Sequence, residues 1–282
     1  MANGSSPLGD FLRARRARVQ PEDVGLVREP NRRVSGLRRE EVAALAGISP
    51  DYYLRLEQGH DHLPSAQVLR SLGRALSLDD NALDYLSRVA RPSSPNALRP
   101  VRDITTDASI VGLLAQWSHT PAHIIDRNQD IVISNPLANA LGGGSMDVGG
   151  NVILAVFEPS LRQLVPDWTT LAADCVAALR FHSDPSDPRF REIVDSLSQR
   201  FAEFRELWTQ HDVRPFTNGR ARSYIDGVGF VDLCFQNLAV PGNAGYSITT
   251  FFAEPGTPGT AAIAYLASTV DAKAAWAAPQ LP

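Results

Sequence analysis

The chain has 282 residues, 44% of them hydrophobic and 21% charged, with a formal net charge of -4; this length exceeds most single cores and predicts two domains of an ordinary globular protein. Its apolar runs are shorter than the roughly 18 to 20 residues a membrane span needs, and Cys175 and Cys234 lack the spacing of a zinc site or a disulfide framework, so both read as buried small hydrophobes. The charge is uneven: the N-terminal third is rich in arginine, most densely over residues 11–39, and the rest is acidic. That distribution gives either a positive patch able to meet phosphates or a plain solvated helix face.

The opening "MANGSSPLGDFLRARR" lacks the charged-then-apolar pattern of a secretory signal and predicts a cytoplasmic protein. From Leu8 to about Ala90 the apolar positions follow helical spacing in five segments. Leu8, Phe11 and Leu12 begin the first. A polar, proline-containing stretch from Gln20 to Gly36 follows, then helices over Leu37 to Ala46, Pro50 to Glu57, Ser65 to Leu76 and Asp79 to Ala90. Ser49 before Pro50 is a strong helix start, since serine caps and proline lacks a donor the first turn does not need. Ser65 and Asp79 offer similar caps.

"RPSSPNALRP", residues 91–100, breaks helix and reads as a linker. The expected division is a first domain over 1–92, a linker over 93–105 and a second domain over 106–282. Beyond the linker Ile110 to Trp117 looks helical, and "AHIID" and "IVIS" flank the turn "RNQD" as a hairpin. Leu161 to Phe181 and Phe190 to Gln210 read as two helices. "RSYIDGVGFVDLCFQNLAV", "PGN" and "YSITTFFAE" read as three antiparallel strands with glycine-marked turns. The expected architecture is an all-α five-helix domain followed by an α+β domain with an antiparallel sheet of about five strands.

"AALAGISPDYYLRLEQG" meets the requirements of a helix-turn-helix. Ala43 is small where two helices cross, Gly47 permits a left-handed turn, and Val42, Ile48, Tyr53 and Leu56 fall on one side. The stretch "LRREEVAALAGISPDYYLRLEQG" resembles the helix-turn-helix of the phage-repressor-like (XRE) regulators over residues 8–90. With "VQPEDVGLVREPNRRVSGLRREE", "YYLRLEQGHDHLPS", "PAHIIDRNQDIVISNPLANAL", "PDW" and "LWTQHDVR", the chain is similar to the MmyB-like regulators over nearly its whole length.

The resemblance implies a transcription regulator that binds double-stranded operator DNA, expected here to act as a homodimer; the alternative is a protein-interaction scaffold that reuses the helical domain without DNA. It places Pro50, Asp51, Tyr52 and Arg55 on the groove-facing side of the recognition helix. Arg39 matches a phosphate-binding position, Arg38, Gln58 and His60 are further backbone contacts, and Arg16 and Glu57 match an internal salt bridge. Arg28, Arg32 and Arg33 lie in a segment that compact phage repressors lack, either an arm reaching DNA or a surface loop. His60, Asp61 and His62 in "GHDHLP" form too small a set for a metal site, and no metal is expected.

The resemblance also implies a PAS-like second domain that takes a small apolar or fatty-acid-like ligand, with no other cofactor. Trp117, Trp168, Phe204, Trp208, Tyr224, Phe235, Tyr246 and Phe251 are candidate aromatic walls, with core packing as the plain alternative. In "LWTQHDVR", His211 and Arg214 could bind a ligand carboxylate, and Asp212 could orient the histidine or cap a turn. Arg205, His119 and His123 are further polar candidates. "GGGSMDVGG" lacks the lysine and helix of a phosphate loop, and neither a Gly-x-Ser-x-Gly elbow nor a dinucleotide motif occurs, so no enzyme is expected.

Overall fold

The computed structural model describes residues 6–29, 32–60, 63–91, 103–165, 167–182, 184–240, 242–243 and 245–270. By its internal contacts the chain divides into two compact units, one made of residues 1–97 with Arg205–Arg214 and the other of Leu98–Phe204 with 215–282.

The first unit holds α1 (Pro7–Arg18), α2 (Arg39–Ala46), α3 (Pro50–Gln58), α4 (Ala66–Ala75) and α5 (Asp80–Val89). The caps are those the sequence offers: Ser49, Ser65 and Asp79 accept from the backbone N–H groups of Tyr52, Val68 and Ala82. Gly47 ends α2 at φ 67°, a left-handed geometry that a side chain resists. Phe11 and Leu12 of α1, Leu37 ahead of α2, Val42 of α2, Tyr53 of α3, Leu72 of α4 and Leu86 of α5 are fully buried, so each helix turns an apolar side inward. A side chain on Gly9 would land on the Glu57 carbonyl, which records how closely α1 and α3 cross.

The described residues between α1 and α2 are tied to one another and to α2. They open with a short 3-10 turn over Pro21–Val24. The Arg32 guanidinium, only 3% exposed, then donates to both Glu41 oxygens at 2.6 and 2.5 Å and to the Gly36 carbonyl at 2.6 Å. Those hydrogen bonds, chiefly Arg32's, hold the Glu41 carboxyl down at about 2. Arg28 pairs with Glu22 at 2.9 Å. Of the three arginines expected in an arm or a loop, Arg28 and Arg32 therefore bind their own segment and α2, because carboxylates lie within reach.

The second unit begins with α6 (Ala108–Gln116) and the hairpin β1 (Ala122–Ile125) and β2 (Ile131–Ser134). Next come α7 (Pro136–Gly142), α8 (Val152–Phe157), α9 (Pro159–Leu164), α10 (Trp168–His182) and α11 (Pro188–Arg200). Helix α12 (Ala202–Thr209), whose residues from Arg205 onward belong to the first unit, is followed in the second by β3 (Asn218–Ile225), β4 (Gly229–Ala239), β5 (Ser247–Phe252) and α13 (Pro258–Thr269). All neighbouring strands are antiparallel, in the order β2-β1-β5-β4-β3.

The two long helices expected at 161–181 and 190–210 are each broken. Val165 turns extended ahead of Pro166, as the residue before proline prefers. Phe201 is extended at φ -126°, and its ring lies 5.5 Å from Phe157. Helices α8 and α13 were not expected.

The sheet has an inner face, where Ile225, Val231, Leu233, Phe235 and Phe251 meet Leu137 and Leu141 of α7 and Ala262 and Leu266 of α13. On its other face Ile124, Ile133 and Ile248 pack with Ile104 and Leu114. Tyr224, Phe230, Leu238 and Phe252 of β3, β4 and β5 stand exposed. Cys175 is buried in α10, whereas Cys234 is only half-buried, because β4 alternates and even-numbered residues there point away from the inner core.

Candidate functional site

Helix α3 is two-sided. Tyr53, Leu56 and Glu57 are buried, while Pro50, Asp51, Arg55 and Gln58 are exposed and Tyr52 is half-buried. Ile48, just ahead of the helix, is half-buried rather than fully enclosed. The Arg55 guanidinium lies 5.8 Å from the Tyr52 ring centre, a cation-π distance that places both side chains together on the outward row.

The buried row is fixed electrostatically. Arg16 Nε donates to Glu57 Oε1 at 2.6 Å, and Arg39 Nε donates to Glu57 Oε2 at 2.7 Å. Burial pushes the Glu57 carboxyl up, but the hydrogen bonds from Arg16 and Arg39 outweigh it and hold the group below its ordinary value. Arg39 is still 48% exposed at the start of α2, so part of its guanidinium faces outward. Arg38 pairs with Glu29 at 2.9 Å, and His60 is exposed after the left-handed Gly59. Asp61 and His62 lie outside the described residues; among those residues no cluster of histidine, cysteine or carboxylate side chains is arranged to hold a metal.

The ligand candidates are distributed over several places. Trp117 lines a small pocket of about 30 Å³ with Leu114, Asn135, Leu137, Ala267 and Val270. Trp168 is core: its indole N–H donates to the Val156 carbonyl at 2.7 Å, and Arg162 stacks over its ring at 4.3 Å. Phe204 is fully buried, its ring 5.5 Å from that of Phe157. Phe235 and Phe251 are 5% exposed on the inner sheet face, their ring centres 6.3 Å apart. Tyr246 packs at the edge of the Ile124 and Ile248 cluster. His119 is exposed before β1.

Tyr224 is a correction to the expected pocket wall. It is 53% exposed and packs edge-on against Phe230 at 5.2 Å, because in β3 the even-numbered residues point away from the inner core.

Arg205, Trp208, His211 and Arg214 belong to the first unit. There Arg18 donates to the Asp212 carboxylate and, at 3.3 Å, to the Gln210 carbonyl, while Arg15 donates to the His211 carbonyl at 3.2 Å. His211 takes a left-handed φ of 52°, an uncommon geometry for a residue with a side chain. Arg214 approaches Asp212 at 3.8 Å. In "LWTQHDVR" the charged and carbonyl groups thus meet arginines of α1.

His123 is the polar residue with the most unusual surroundings: it is 3% exposed in β1, and burial pushes its imidazole down to about 4. Nothing in "PAHIID" marks this burial: Ile124 packs in the other core, and only the pairing of His123 with Thr249 of β5 turns its side chain to the inner face.

Comparison with protein families gives two matches. Residues 107–266, more than half of the chain, match the MmyB-like transcription regulator ligand binding domain. Residues 7–86 match a helix-turn-helix domain. Comparison with curated proteins gives no match. Among the described residues no helix is long and apolar enough to cross a membrane. With a helix-turn-helix unit before an α+β ligand-binding unit, the chain belongs to the MmyB-like helix-turn-helix transcription regulators.

Proposed function

We propose that this ligand-responsive regulator recognises a specific double-stranded operator through α3. The observation that supports this best is the division of α3 into a buried row, Tyr53, Leu56 and Glu57, and an outward row, Pro50, Asp51, Tyr52 and Arg55. In the major groove Arg55 donates two hydrogen bonds to a guanine edge, Asp51 accepts from a cytosine amino group, and Tyr52 meets a thymine methyl or a phosphate. Arg38, Arg39, Gln58 and His60 contact backbone phosphates and set affinity and salt dependence more than sequence choice.

The working form is a cytoplasmic homodimer, with two recognition helices about 34 Å apart facing successive major-groove turns. Its second domain is PAS-like and binds a small apolar, fatty-acid-like molecule. The support is the single antiparallel sheet with Phe235 and Phe251 on a face covered by α7 and α13. Ligand controls DNA binding only as far as it favours one arrangement of the dimer over another.

The test is a titration of the full chain and of Arg55→Ala against DNA from upstream of its own gene and against a scrambled sequence. The wild type prefers the upstream DNA, and Arg55→Ala loses about ten- to hundred-fold on it with a smaller loss on the scramble. Equal affinity of the wild type for both sequences overturns the reading.

A further inference from the structure

Residues 205–214 belong to the helix-turn-helix unit, although their neighbours in sequence, Phe204 and Pro215, belong to the second. Both flanks are anchored in that second unit. Phe204 is fully buried with its ring 5.5 Å from that of Phe157. The Phe216 ring lies 4.8 Å from Phe235 of the inner sheet core, and its carbonyl accepts from Asn237 Nδ2 at 2.6 Å. The Thr217 carbonyl accepts from the Asn237 N–H at 2.6 Å and from Gln236 Nε2 at 2.9 Å, so this end is stitched to β4.

Between the anchors the segment grips α1. Arg18 donates to the Asp212 carboxylate and to the Gln210 carbonyl, and Arg15 donates to the His211 carbonyl and stands 3.7 Å from Asp212. His211 holds its left-handed backbone and Val213 is buried beside it. A residue with a side chain keeps such a conformation only where its surroundings fix it, and such positions gather at switch regions.

Helix α1 in turn rests on one residue of the recognition helix. Arg13 donates to the Glu57 carbonyl at 2.8 Å, Arg16 donates to the Glu57 carboxylate at 2.6 Å, and Gly9 leaves no room for a side chain against that carbonyl. A shift of the end of α1 is therefore felt at Glu57. Only Val213, Arg214 and Pro215 separate Asp212 from Phe216, a reach of at most about 14 Å, and proline fixes its own φ. So short a connection has little slack to absorb a movement.

We propose that residues 205–214 are the strap through which the sensing domain regulates DNA recognition. A rearrangement of the sheet core at Phe235 moves Phe216, the strap moves Asp212 and with it Arg18 and Arg15, and α1 passes the change to Glu57 on the inner side of α3. Packed helices move between discrete arrangements instead of deforming smoothly, so a small displacement of α1 alters how firmly α3 is held. The inference rests on the reading of α3 as the DNA-contacting helix of a ligand-responsive regulator, and deepens it by naming the regulation of that helix.

The test uses the full chain and hydrogen exchange at the backbone amides of α1 and α3, read beside affinity for the upstream DNA. Phe216→Leu trims the anchor on the sensing side, with the milder Phe216→Met in its place if the sheet amides lose protection. Asp212→Ala and Arg18→Gln each cut the strap from α1. The Phe216 variant speeds exchange over α1 and from Tyr53 to Glu57 by about two- to thirty-fold and lowers DNA affinity by a factor in the same range. In the Asp212→Ala and Arg18→Gln backgrounds the same change adds less than about two-fold, since coupled positions are non-additive. Ile133→Val, in the second unit's other core, leaves exchange over α1 and α3 within about two-fold of the wild type.

Unchanged exchange over α1 and α3 in the Phe216 variant, an equal effect of that variant with and without the Asp212 and Arg18 side chains, or an equal response to Ile133→Val overturns the proposal. Coupled exchange with DNA affinity left unmoved overturns it as well. A wild type that binds upstream and scrambled DNA alike removes the reading of α3 and is seen without any variant, and the exchange cycle still decides whether the strap carries movement to α1 and α3.

Discussion

Arg16 and Glu57 meet beneath the recognition helix, Nε to Oε1 at 2.6 Å, with the carboxylate only 1% exposed. Because Arg39 takes the other oxygen, one buried carboxylate joins α1, the start of α2 and the inner side of α3. Glu57→Ala leaves Arg16 without its charge partner, a change that costs about 3 to 5 kcal/mol in comparable settings. The expected outcome is a large drop in the urea midpoint together with loss of DNA binding. Since the folded carboxyl lies below its unfolded value, its stabilisation is present above about pH 4.5 and disappears as pH falls through the folded value.

Two glycines of the first unit separate backbone strain from steric collision. Gly47 sits at φ 67° with open space around a would-be side chain, so Gly47→Ala costs about 1 to 2 kcal/mol, the price of a left-handed alanine. Gly9 has ordinary helical geometry, but a side chain there strikes the Glu57 backbone. Gly9→Ala therefore destabilises more than Gly47→Ala. Chemical denaturation of both variants checks the order, and the reverse order would refute the close α1–α3 crossing.

His123 gives the second unit its own acid response. The folded imidazole titrates at about 4, whereas an unfolded histidine titrates near about 6.5. Between these values the unfolded chain binds a proton that the folded chain does not. Stability thus falls by about 3 kcal/mol as pH drops from about 6.5 to about 4, then levels off for this group. Melting temperatures across this window should fall for the wild type and stay flatter for His123→Leu; parallel curves would contradict the burial argument.

Arg39 and Arg55 should differ in kind as DNA contacts. Arg39 has one nitrogen on Glu57 and part of its guanidinium exposed, so Arg39→Ala weakens binding to all sequences, lowers the salt slope by about 1, and slightly destabilises the fold. Arg55→Ala relaxes sequence preference and leaves stability nearly unchanged, because its side chain is exposed and its described contact is the Tyr52 ring. Affinity measured over a salt series, beside urea denaturation, distinguishes the two.

The first unit was legible because its signals are local. Ser49 with Pro50, Ser65, Asp79 and Gly47 each act within four residues, and the helices start and stop where these residues place them. The five strands were legible for a similar reason, since alternation and glycine turns mark them. What the sequence hid depends on distant partners. Nothing near Arg32 shows that its guanidinium folds back on Glu41, and α13, "PGTAAIAYLAST", is so rich in small residues that its apolar period is weak. Tyr224 was misplaced because an aromatic residue in a strand has two faces to choose from, and the choice is set by the pairing of β3 with β4. The surroundings of His123 required the register of three strands at once.

The clasp of α1 on residues 210–212 also orders events in time. Asp212 follows its partner Arg18 by 194 residues, so a ribosome adding about 5 to 20 residues per second delivers it roughly 10 to 40 s later. The recognition helix emerges early, but the contacts of α1 with residues 210–212 form only when most of the chain has been translated. A nascent regulator therefore gains this clasp late in synthesis, after much of the sequence that forms the sensing domain has already been made.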